Sequence, residues 1–119
     1  MLTVRVVSAA EAQRLNRDYR GRDYATNVLS FGYGRIAGNI SAARTGVLQG
    51  DLVLCAAVVW REARAQKKPI AAHYAHLFIH GLLHLQGHDH EDDATAMRME
   101  GREQRILAKL GFPDPYRSV

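Results

Sequence analysis

Three histidines and a glycine near the middle of the chain constrain its fold more than any other feature. They lie in HGLLHLQGHDH, residues 80–90. On a helix advancing by about 100° per residue, His73, His76, His80 and His84 fall within an arc of about 80°. His80 and His84 are four apart, so their rings project from neighbouring turns and can hold one ion at ~2.0–2.1 Å each. Gly87 lets the chain leave the helix with positive φ and turns His90 back toward the same ion. Three protein ligands with a fourth position open mark a catalytic zinc site, not a structural one. Phe78, Ile79, Leu82, Leu83 and Leu85 surround most of the helix opposite the histidine arc, as a central, buried metal helix requires. His73 and His76 are expected to support the ligands from behind or to lie at the surface. His88 alternates with His90 across Asp89 and is expected to point away from the metal.

The elements around that helix follow from pattern. LTVRVV (2–7) is rich in β-branched residues and reads as a strand. Ser8 and Glu11 form an S-x-x-E box that opens a helix ending near Gly21. NVLSFGY (27–33) reads as a second strand, and the glycine-rich stretch 34–50 as a loop. DLVLC (51–55) is a short apolar strand. Helices are predicted over 57–67, 70–86 and from after Asp92 to Leu110, the last closed by Gly111 and Pro113. The order gives an α+β fold, a single small domain over 1–119 with no repeat or linker.

The bulk composition excludes several classes. A hydrophobic fraction of 47% over 119 residues suits a globular core, and no apolar run approaches the ~18 residues of a membrane span. The N-terminus lacks a basic region followed by a long apolar one, so no signal peptide is expected. Cys55 is the one cysteine and lies in LVLCAAVV, which suggests a buried thiol in a reducing compartment. A cytoplasmic location is the expectation. The net charge of +4 suits a polyanion such as RNA without requiring one.

The histidine spacing matches the metzincin peptidase pattern H-E-x-x-H-x-x-G-x-x-H at all three histidines and the glycine. The glutamate that serves those enzymes as general base is Gly81 here, which can neither accept nor deliver a proton. Peptidase chemistry by that route is disfavoured. Proton handling falls to Asp89 or His88.

A second resemblance covers nearly the whole chain. HGLLHLQGHDH resembles the H-G-x-L-H-L-x-G-Y-D-H signature of the YbeY family of bacterial endoribonucleases. LNRDYRGRDYATNVLSF (15–31) and GDLVLC (50–55) resemble two further family segments, in the right order. The resemblance implies a small mixed β-sheet packed against helices, with the metal helix buried and the site in a cleft. It implies metal ligands at His80, His84 and His90, one Zn2+ per chain with Ni2+ able to take its place, and a functional arginine at Arg20. It further implies single-strand-specific cleavage of RNA in ribosomal RNA processing, at the 3′ end of the small-subunit RNA, and in ribosome quality control. The small ribosomal subunit and assembly factors are the expected partners, and no membrane is.

Arg20 suits that chemistry, because hydrolysing a phosphodiester builds negative charge that a guanidinium and a Lewis-acid metal can hold. Arg20, His84 and Asp89 are thus the candidate catalytic residues. Arg14, Arg17, Arg22 and Arg35 extend a phosphate track or are simply solvated charges. Two departures stand out. The family tyrosine is His88 here, and family members usually carry another strand and helix before the segment that begins at Leu2. Two other functions fit the residues: an RNA-binding assembly factor with a structural metal, and a zinc hydrolase of another substrate class.

Overall fold

The computed structural model describes residues 2–32, 50–86 and 93–116. They form β1 (Leu2–Val7), α1 (Ala9–Arg20), β2 (Val28–Gly32), β3 (Gly50–Cys55), α2 (Ala56–Ala65), α3 (Ile70–Leu85) and α4 (Asp93–Lys109). The strands make one mixed sheet in the order β1-β3-β2, with β1 parallel and β2 antiparallel to the central β3. The α+β expectation holds.

Strand β3 is paired along both edges and packed against helices on both faces, which is why it reads as a continuous apolar run and not an alternating one. Val53 and Cys55 pack with Val7, Ala12, Leu29 and Val58 on the face covered by α1. Leu54 packs with Val59 and Leu77 on the other, against α2 and α3. Helix α4 closes the far side of α3, where Ile79 and Leu83 meet Met99 and Leu107. The histidine helix is therefore sandwiched between a sheet and a helix. Strand β1 is the outer neighbour of β3, and Val4 and Val6 on it are exposed.

Local chemistry sets the boundaries. Ser8 caps α1 by accepting the Glu11 backbone N–H at 3.2 Å. The reciprocal half of the predicted box is replaced: the Glu11 carboxylate pairs with Arg5 at 2.5 Å instead. Gly21 ends the helix in the left-handed region at φ 72°, donating its N–H to Arg17 O. Helix α2 stops at Ala65, short of the predicted 67, because Lys67 turns to φ 54° ahead of Pro69. Gly50, expected in the preceding loop, is the first residue of β3. The rest of that loop, and Gly87 with its turn, lie outside the described residues.

One contact fixes how deeply α3 sits. A Cβ built on Gly81 would lie 2.7 Å from Leu52 Cδ2 and 3.3 Å from Ser30 Oγ. The Ser30 hydroxyl donates to Gly81 O at 3.5 Å. Gly81 faces the sheet and lets the helix backbone approach β3 and β2 directly.

Candidate metal centre

Helix α3 delivers His80 and His84 to one spot. Their Nε2 atoms lie 3.1 Å apart, with the rings nearly perpendicular at 73°. Two imidazoles binding a tetrahedral ion at ~2.0–2.1 Å would hold their nitrogens roughly 3.3 Å apart. The donor set and its convergence thus fit a zinc-like ion on that side. His88, Asp89 and His90 lie outside the described residues.

Behind His80 stands a group that motif reading missed. Glu103 of α4 is fully buried. Its Oε1 accepts from His80 Nδ1, and its Oε2 accepts from the Tyr116 hydroxyl and lies 3.5 Å from His76 Nε2. His76 Nε2 also lies 3.2 Å from the Tyr116 oxygen. Burial by itself would raise the Glu103 carboxyl, but the hydrogen bonds from His76, His80 and Tyr116 outweigh it and hold its pKa at about 2. Burial and the same carboxylate push the Tyr116 phenol well above its ordinary range. His76, His80 and Glu103 bring one ligand atom each within 4.8 Å of one another, so this group could itself hold a metal ion.

Sequence did carry a signal for Glu103. Met99, Glu103 and Leu107 are spaced i, i+4, i+8, and all three are buried. A carboxylate in the middle of an apolar stripe requires a buried partner. Tyr116 had no comparable signal, because it is brought in by the turn after α4. There Asp114 accepts from Gln104 at 3.1 Å and from the Tyr116 backbone N–H at 2.9 Å, and Lys68 Nζ donates to Pro115 O.

The two other expectations for helix histidines resolve separately. His76 joins the Glu103 group behind His80. His73 is neither at the surface nor near the ligands: it is buried, with Nε2 2.9 Å from Glu62 Oε1, which also accepts from Asn27 Nδ2 at 3.0 Å. It ties α3 to α2 and to the start of β2.

His80 and His84 open onto a cleft of about 710 Å³ that is also lined by Tyr19, Arg20, Asn27 and Ser30. Arg20, the last residue of α1, is exposed there. Among the described residues, none lining the cleft is acidic. A guanidinium beside two imidazoles that can hold a metal cation favours an anionic ligand. Arg14 and Arg17 pair instead with Glu11 at 3.7 Å and Asp18 at 3.3 Å, and Arg22 donates to Tyr24 Oη at 3.3 Å. None of these three lines the cleft, which favours solvated charges over a phosphate track. Arg35 lies outside the described residues. No described helix is long and apolar enough to cross a membrane.

Comparison with known proteins converges on one family. A family profile described as endoribonuclease YbeY matches residues 1–111. Relatives named endoribonuclease YbeY include that of Paraburkholderia phymatum, 55% identical over 97% of this chain and 71% of its own length. Those of Thiobacillus denitrificans and Halorhodospira halophila are 56% and 58% identical, over 98% and 97% of this chain and 75% and 73% of theirs. The solution structure of a Thermotoga maritima protein shares the fold, with a TM-score of 0.54 and 23% identity over 98% of this chain and 77% of that one.

Proposed function

The chain belongs to the YbeY endoribonuclease family, and on that footing we propose that it is a metal-dependent, single-strand-specific endoribonuclease. It acts in ribosomal RNA processing, at the 3′ end of the small-subunit RNA, and in ribosome quality control. Residues 1–119 work as one catalytic domain in the cytoplasm, with the small subunit and its assembly factors as partners. The observation that carries this reading is the shared cleft: Arg20 lines the same concavity as the paired Nε2 atoms of His80 and His84.

His80, His84 and His90 hold the ion, zinc or in its place nickel, since both suit imidazole donors. Bound there, it supplies Lewis acidity to a phosphoryl oxygen and lowers the cost of deprotonating the nucleophile. Arg20 clamps the phosphate and balances the charge that grows on its oxygens as the bond breaks. Asp89 handles protons near the ligands. Tyr19 is 70% exposed at the cleft and stands edge-on to Phe31, a face on which an unpaired base can stack and a duplex cannot. That supports a preference for single strands.

Gly81 speaks against the peptidase alternative. Its position is filled by the sheet contact with Leu52, so the helix has no place there for the general base of metzincins.

The test is cleavage of single-stranded and duplex ribosomal RNA fragments by wild type and Arg20→Ala at matched thermal stability. Cutting of single strands that Arg20→Ala loses, with RNA binding retained, supports the enzyme. Equal behaviour of both proteins points to a non-catalytic RNA-binding factor. A 2′,3′-cyclic phosphate product would identify the RNA 2′-hydroxyl, and not water, as the nucleophile.

A further inference from the structure

Glu103 contributes nothing to the cleft surface, yet it is among the most completely buried side chains of the protein. A buried carboxylate is costly unless several donors meet it. Here His80 and Tyr116 donate to it from two sides, and His76 lies within ion-pair distance. Replacing it by an apolar residue would remove the desolvation cost, so its presence calls for a role beyond packing.

From this geometry we propose that Glu103, anchored by Tyr116, is a positioning residue that fixes the tautomer and ring orientation of His80 for metal binding. A carboxylate offers only acceptors, so the His80 nitrogen facing it, Nδ1, carries the hydrogen. The other nitrogen, Nε2, then presents its lone pair toward His84 Nε2, 3.1 Å away. Without a partner for Nδ1, imidazole would divide between two tautomers and two ring flips, and only part of that population could bind a metal through Nε2. A carboxylate behind a ligand histidine also raises its basicity toward the ion. Tyr116 occupies the second oxygen and stops the carboxylate from rotating away. The turn bearing Asp114 and Pro115, clamped by Gln104 and Lys68, thereby becomes part of the metal site's support.

The inference rests on His80 being a ligand through Nε2. The rival is that Glu103 itself ligates an ion together with His76, which the grouping of their ligand atoms allows. The two make different demands. A positioning carboxylate can be replaced in part by an amide whose oxygen accepts the same hydrogen. A charged ligand cannot.

Zinc affinity, measured by chelator competition on the full chain, separates them. Glu103→Ala should bind zinc roughly 10–100-fold more weakly, Glu103→Gln should recover most of that loss, and Tyr116→Phe should weaken binding a few-fold. His76→Ala should retain binding and His80→Ala should abolish it. Unchanged affinity in Glu103→Ala, with His80→Ala defective, overturns the positioning role alone. Unchanged affinity in His80→Ala overturns the ligand assignment on which it rests. Loss in Glu103→Gln and His76→Ala as complete as in His80→Ala makes Glu103 a ligand instead. Should Glu103→Ala not fold, the wild type still decides: two-bond 1H–15N NMR of the metal-free protein at pH 8 should show His80 protonated at Nδ1. A Nε2–H tautomer would overturn the proposal.

Discussion

His80 and His84 place their Nε2 atoms 3.1 Å apart on adjacent turns of one helix, facing a cleft they share with Arg20. Separate replacement of either by alanine should remove zinc binding, with a loss larger than the ~10–100-fold expected for a supporting group. Metal-free His84→Ala should melt close to wild type, because that side chain is partly open to the cleft, whereas metal-free His80→Ala takes a donor from the buried Glu103 and should lose about 1–3 kcal/mol. Isothermal titration with zinc, beside a thermal melt in chelator, checks both halves.

Gly81 should not tolerate even a methyl group. A Cβ there meets Leu52 at 2.7 Å, and Leu52 is fully buried with no room to retreat. Overpacking of this kind costs about 1–3 kcal/mol, more than the ~1 kcal/mol that alanine returns in helix propensity. Urea unfolding of Gly81→Ala should show a lower midpoint at unchanged slope. Gly81→Glu, which restores the metzincin motif letter for letter, should fold worse still and gain no peptidase activity.

Stability at acid pH should report on Glu103. In the unfolded chain this carboxyl takes up its proton near 4.5, whereas in the fold it resists until about 2. Its folded value is depressed, so its contribution is fully present above about pH 4.5 and is lost as the pH falls toward 2. The contribution is on the order of 3 kcal/mol at most. Metal-free wild type should lose stability across that window faster than Glu103→Gln, as read by denaturant unfolding at each pH. Parallel curves would contradict it.

His73 should prove structural. Glu62→Ala strips the partner from a buried imidazole and frees Asn27 as well, which should cost about 1–3 kcal/mol. Zinc affinity should not change, because this network lies on the α2 side of the helix. A melt and a zinc titration on the same sample suffice.

Much of this was legible in the sequence because it was local. The β1 and β3 strands, the Ser8 cap, the Gly21 stop and the i, i+4 histidine pair depend on residues within a few positions of one another, where period and capping chemistry act. The box at Ser8 is only half formed, because Arg5, from the neighbouring strand, takes the glutamate away. Arg20 could be singled out only by resemblance, since nothing in YRGRD says that the end of α1 borders the histidine cleft. The partners of Glu103, and any role for Tyr116, were out of reach for a related reason. Glu103 meets His80 from 23 positions away, across the packing of α4 on α3, and Tyr116 reaches Glu103 and His76 only through the turn that follows α4. A charge at the centre of the Met99–Leu107 stripe announces that a partner exists but not which one.

The central claim is that a metal held by the histidine helix makes this protein cut RNA. The most direct measurement strips the purified chain of metal with chelator, restores it with one equivalent of zinc, and follows cleavage of a single-stranded ribosomal RNA fragment beside His84→Ala. Cutting that disappears on stripping, returns with zinc in the wild type and never returns in His84→Ala is the predicted result. Cutting that survives stripping, or that His84→Ala retains at the wild-type rate, would contradict it.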